Sequence, residues 1–172
     1  LDKAIKSSGT KARVVTVTRG IALRGGEGKG KDPHVWHDPQ NAMLMVDAIA
    51  TALATRDTKN APAYRAAADA YRTVLGQADA QVRALVESIP PANRKIVTNH
   101  DALGYFIDRY GLRFVGAVIP SLTTQSEPSA KDVAALVDLI KKEGVKAIFA
   151  ESSVDPKVAR RIAADTGVAI VD

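Results

Sequence analysis

The chain has 172 residues, 46% of them hydrophobic, no cysteine and a formal net charge of +5. That length holds one domain or two small ones, and the missing cysteines exclude disulfides, thiolate metal sites and cysteine nucleophiles. Residues 1–31 carry eight Lys/Arg against Asp2 and Glu27, a local +6, but the charges are scattered and lack interleaved aromatics, which predicts a solvated basic face and no nucleic-acid partner.

Ala12 to Thr18 is rich in β-branched residues and predicts a strand. Arg24 to Lys31 (RGGEGKGK) reads as a surface loop, because the phosphate-loop spacing and its Lys-Ser/Thr pair are absent. The next eight residues, Asp32-Pro33-His34-Val35-Trp36-His37-Asp38-Pro39, hold two of the three histidines and the only Trp. Neutral imidazole is the commonest protein metal ligand, and Pro restricts the backbone on both sides of the corner. Asp38 and Pro39 also read as the N-cap and first residue of a helix running to about Arg56. On this reading Asp38 serves as a cap, and His37 has no independent support as a ligand. If Val35–His37 is extended, His34 and Trp36 point to opposite faces.

Met45, Ile49 and Leu53 recur every four residues and predict the inner stripe of that helix. A much longer helix follows from about Pro62 to Ser88, on the order of 40 Å long. Its apolar seam is Tyr71, Leu75, Ala78, Val82, Leu85 and Ile89. Gly76 and the many alanines favour a spine joining two lobes over a coiled-coil seam.

Pro90-Pro91 ends the long helix, and regular alternation begins. Strands are predicted at Lys95–Asn99, Arg113–Ile119, Lys146–Ala150 and Val168–Val171. Helices are predicted at Asp101–Tyr110, Ser129–Glu143 and Pro156–Thr166, with Val133, Leu136, Val137 and Ile140 inward on the second. Such alternation means a parallel sheet wound right-handedly. Ligands in open α/β sheets bind beyond the carboxyl ends of strands. His100, the group Ser121, Thr123 and Thr124, Glu151 and Asp172 all fall there. His100 is expected to start a helix whose amide end favours neutral imidazole. Ser152-Ser153 lacks the G-x-S-x-G context of a nucleophile elbow.

Three stretches carry a family resemblance: DPHVWHDPQN, IVTNHDALGYFIDRYGL and AIFAESSVDPKVARRIA. With these in order, essentially the whole chain resembles the zinc/manganese substrate-binding proteins of metal ABC transporters. The resemblance implies an α/β fold of two Rossmann-like parallel-sheet lobes joined by a long rigid helix, with the first lobe only partly present. Residues 1–57 would be the end of the first lobe, 58–90 the connecting helix and 91–172 most of the second. It implies His34 and His100 as metal ligands and Glu151 as a rim residue that orients a ligand. It also implies a non-enzymatic, monomeric, periplasmic or surface-anchored protein that carries zinc, or manganese, to an ABC permease. The family's first histidine falls upstream of this chain, and its last ligand, an Asp, falls beyond Asp172. Most members have an aliphatic residue where His37 stands. His100 occupies a position where some manganese-binding members carry Glu, which leans toward zinc. Two other classes fit parts of the sequence: a zinc hydrolase with Glu151 as general base, and an interaction module built on the 62–88 seam.

Overall fold

A computed structural model describes residues 2–26, 30–123, 127–151 and 154–171. Thr124, Ser152, Ser153 and Asp172, singled out above, lie outside the described residues.

Six helices and four strands make up the described fold. They are α1 (Asp2–Ser7), α2 (Pro39–Arg56), α3 (Ala61–Ser88), β1 (Lys95–His100), α4 (Gly104–Tyr110), β2 (Arg113–Ile119), α5 (Ala130–Glu143), β3 (Ala147–Phe149), α6 (Lys157–Thr166) and β4 (Ala169–Val171). The strands form one parallel sheet in the order β2-β1-β3-β4. The α/β class expected from the alternation is therefore the class observed. Parallel strands need covered faces, and α5 and α6 supply one cover. Val97, Val118, Leu136, Ile140, Val145, Ile148 and Ile162 form that core, with Val133 and Val137 packed at its edge.

Local signals account for the ends of the sheet's helices. Ser129 accepts from the Asp132 amide while Asp132 reaches back to the Ser129 amide, a reciprocal capping box on α5. Gly144 closes the same helix at φ 63°, a left-handed position that costs glycine little. Ser129→Ala is expected to lower unfolding free energy by about 1 kcal/mol in urea titrations.

Several expectations fail, each for a physical reason. Residues 12–18 form no strand, and Val14 and Val15 are exposed. They have β-branched composition but no partner strand among the described residues, and pairing decides a sheet more than propensity does. Val35–His37 is a 3₁₀ turn and not an extended segment. The helix predicted from Asp101 begins only at Gly104, so His100 ends a strand and receives no help from helix amides.

The inner faces of α2 and α3 also differ from the predicted stripes. Ile49, Leu53, Tyr71 and Leu85 are exposed, whereas Ala50, Ala54, Ala61, Ala68, Asp79 and Val86 are buried. Small residues let the two helix axes approach closely. Gly76 shows how closely: a Cβ there would sit 3.7 Å from Met43 Cε. The larger side chains are rotated outward as a result.

In the C-terminal half of α3, Asp79 joins α3 to α2 and α4. Its carboxylate accepts from Gln40 Nε2 of α2 (3.1 Å), Arg109 Nη2 of α4 (2.6 Å) and the Tyr110 hydroxyl (2.9 Å). Arg109 Nε also lies 3.6 Å from Asp38 Oδ1, the N-cap of α2. The Arg109 guanidinium holds the Asp79 carboxyl down at about 2, and burial pushes the Tyr110 hydroxyl up to about 12.

Candidate metal centre

The sheet topology brings two predicted residues together. β1 and β3 are adjacent and parallel, with Thr98 opposite Phe149. Two residues further along each chain, His100 and Glu151 emerge at the same carboxyl edge. His100 Nδ1 lies 2.5 Å from Glu151 Oε1. His100 is 5% exposed, so packing holds its ring in place.

His34 reaches the same place from outside the sheet. Asp32 accepts both the backbone N–H of His34 (2.9 Å) and sits 2.8 Å from its Nδ1. An i,i+2 Asp-to-backbone bond is an Asx turn, a local reason for the chain to curl at Pro33. Val35, 1% exposed, then anchors the 3₁₀ turn against Ile21 and Tyr105. The Tyr105 hydroxyl of α4 donates to the Asp32 carbonyl (3.0 Å) and accepts from the Arg24 amide (2.9 Å), tying this loop to the sheet lobe. The Arg24 guanidinium pairs with Asp108 and lies 3.7 Å from Asp32 Oδ2.

The two imidazoles meet edge to face with ring centres 5.3 Å apart. At His34 the hydrogen-bonded Asp32 carboxylate selects the tautomer with the proton on Nδ1 and leaves the Nε2 lone pair open. At His100 the Glu151 carboxylate stands beside Nδ1 as an ion-pair contact, without hydrogen-bond geometry. Two imidazoles bound through Nε2 to one tetrahedral ion, at about 2 Å per bond, have ring centres roughly 5 Å apart. The observed pair has that spacing.

Other candidates fall around this pair. The His37 ring centre is 6.4 Å from that of His34, and Trp36 touches both rings at 5.5 and 5.7 Å. Burial, then the neighbouring His34, lowers the His37 pKa. Asp101 is shifted the other way, raised first by burial and then by Asp32. Ser121 Oγ accepts from the Thr123 amide (3.1 Å), so those residues close the turn after β2. Among the described residues, no three His, Cys, Asp or Glu converge tightly enough to hold an ion.

Sequence reasoning missed Asp32, Tyr105 and Arg24. The Asp-x-His spacing held a signal for Asp32, since an Asx turn returns the carboxylate to the imidazole two residues later. Tyr105 and Arg24 had none, because their contacts span 81 positions.

His100 at the end of β1, with Glu151 beside it and His34 brought in from the turn before α2, places two imidazoles together at the carboxyl edge of the sheet. The chain belongs to the ZnuA family, described as zinc-uptake complex component A, periplasmic, whose model matches residues 1–172. It is 38% identical over 132 residues to the manganese-binding lipoprotein MntA of Bacillus subtilis, covering 77% of this chain and 42% of MntA. It is 36% identical over 129 residues to the high-affinity zinc uptake protein ZnuA of Paracoccus denitrificans, covering 75% of this chain and 38% of that protein. The solved laminin-binding protein Lmb of Streptococcus agalactiae, titled as an adhesin with metal-transporting activity, superposes with TM-score 0.85 at 29% identity. That match covers 95% of this chain and 61% of Lmb. The chain thus spans about half the length or less of these two curated relatives. These relatives are transport components and not enzymes, and Glu151, the general base of the hydrolase reading, lies against His100 Nδ1.

Proposed function

We propose that the protein of this chain captures a divalent transition metal outside the cytoplasm and hands it to an ABC permease. His34 and His100 are the ligands, and the ion is zinc in preference to manganese. Residues 1–57 belong to one lobe, 58–90 to the connecting helix and 91–172 to the second lobe, and the carrier acts as a monomer. The observation that carries this reading is the pair of imidazoles 5.3 Å apart, each with its Nδ1 against a carboxylate. Imidazole donors suit zinc, whereas carboxylate-rich sets suit manganese.

The Asp32 and Glu151 carboxylates act by orienting the rings and raising ligand basicity. Asp32→Asn is therefore expected to weaken zinc binding about 10- to 100-fold, with the affinity read by competition against a chromophoric chelator. Calorimetric titration of the metal-stripped chain with zinc tests the whole reading. Saturable binding at one ion per chain supports it; binding indifferent to His34→Ala and His100→Ala refutes it.

A further inference from the structure

Asp32 uses its two carboxylate oxygens on different partners. Oδ1 accepts from the His34 amide and stands 2.8 Å from His34 Nδ1. Oδ2 faces the Arg24 guanidinium, with Nε 3.7 Å away. Asp32 is 2% exposed, and a carboxylate so buried needs a paired cation. Arg24 is the cation that the fold puts there. Its Nε is buried and makes no hydrogen bond among the described residues, so the pairing with Asp32 rests on charge and on where the guanidinium is held.

One face of α4 does the holding. A Cβ on Gly104 would lie 2.7 Å from Arg24 Nε and 2.9 Å from its Cζ, so the guanidinium rests directly on the backbone at the start of the helix. The same group lies over the Tyr105 ring, 5.7 Å from its centre. Its far end pairs with Asp108, one turn beyond Gly104 and on the same face. Backbone bonds fix the root of the side chain: the Arg24 amide donates to the Tyr105 hydroxyl (2.9 Å), and the Asp32 amide donates to the Arg24 carbonyl (3.2 Å). We infer that Arg24, seated on Gly104, is a positioning residue of the metal centre. It fixes the Asp32 carboxylate, which in turn fixes His34 with its proton on Nδ1 and its Nε2 free for the ion. This inference rests on the two-histidine reading proposed above. It makes the aim of His34 depend on α4, which lies on the far side of α3 in the sequence.

The experiment compares the 172-residue chain with Arg24→Ala, Gly104→Ala, Asp32→Asn and the Arg24→Ala/Asp32→Asn double variant. Long-range proton–nitrogen NMR of the metal-free chain at about pH 8, above the ordinary imidazole range, reads the His34 tautomer without zinc. Wild type should hold the proton on Nδ1. Arg24→Ala and Gly104→Ala should each shift His34 to a mixture of both tautomers. In competition titrations with zinc chloride, each should weaken binding roughly tenfold. Arg24→Ala should add less than about twofold to the effect of Asp32→Asn, because both act through one carboxylate. Alanine suits a helix better than glycine does, so a loss in Gly104→Ala with far-UV circular dichroism unchanged comes from the displaced arginine. An unchanged His34 tautomer in both variants overturns the inference, even if zinc affinity falls, because the arginine would then act on the fold and not on the ring. Additive losses from Arg24→Ala and Asp32→Asn also overturn it. If His34→Ala leaves zinc binding intact, the two-histidine reading itself fails, a result distinct from these because the tautomer is read without metal.

Discussion

Asp79→Ala is expected to destabilise the chain by about 3 kcal/mol in equilibrium urea unfolding. The variant removes the common acceptor of Gln40, Arg109 and Tyr110. Tyr110 is 6% exposed, so its hydroxyl would be left buried without that partner, a cost of about 1–3 kcal/mol. Arg109 is partly exposed and keeps Asp38 at 3.6 Å, which softens the loss of its main partner. The same carboxylate makes stability depend on pH. Its folded-state pKa of about 2 lies below the ordinary 3.8. Stability from this group is fully present above the unfolded value and is lost as pH falls through about 2. The amount is on the order of 1–2 kcal/mol after allowance for solvent screening. The decline between pH 4 and pH 2 should be shallower in Asp79→Ala than in wild type. An equal decline in both would remove Asp79 as its source.

This network also shows why the spine of the molecule was only partly legible. Its length and ends followed from Pro62, the helical run and Pro90-Pro91. Its orientation did not. A pattern search ranks large apolar residues as the inner face, yet Ala50, Ala54 and Ala68 are buried there and the charged Asp79 meets Gln40 at the start of α2. Asp79 reads as solvent-facing in any hydropathy scheme, because its partners come from 39 positions upstream and 30 downstream. The sheet lobe was legible because its information is local. β2 runs from Arg113 to Ile119 as expected, and the Ser129 cap and Gly144 stop bracket α5. Residues 12–18 illustrate the opposite case: the propensity was local, and the pairing that would have realised it was absent.

The candidate centre divides along the same line. His34 stood out through its rigid Asp-Pro surroundings, and His100 and Glu151 through their places at strand ends. Strand order β1-β3 then makes His100 and Glu151 neighbours, something the alternation of elements leaves open. The helix-start explanation for His100 was wrong, and a carboxylate 2.5 Å from Nδ1 takes its place. The second carboxylate, on Asp32, creates a parallel between the two histidines that neither motif displayed alone. Trp36 packs edge to face against His34, ring centres 5.5 Å apart, while remaining half exposed.

Removing either imidazole should have the largest effect on binding. His34→Ala and His100→Ala are each expected to weaken zinc binding by about 10³-fold or more, equivalent to about 4 kcal/mol. This exceeds the roughly 10- to 100-fold expected when an orienting carboxylate is altered, because a coordinate bond is lost instead of being misdirected. The double variant tests whether the two act on one ion. If they share it, either single change already destroys the bidentate arrangement, and the second adds far less than the first. The coupling energy in a double-mutant cycle should then be a large fraction of either single effect. Independent sites would instead give additive losses and a stoichiometry that falls in two steps. Removal should leave the fold intact. His34 sits on a turn held by Val35 and Tyr105, and His100 caps a strand whose ladder to Ile119 uses backbone atoms alone. Unchanged far-UV circular dichroism together with lost zinc binding would therefore assign the defect to the centre. A fold lost along with binding in His100→Ala would shift the argument onto His34→Ala, where the turn is anchored by residues other than the histidine.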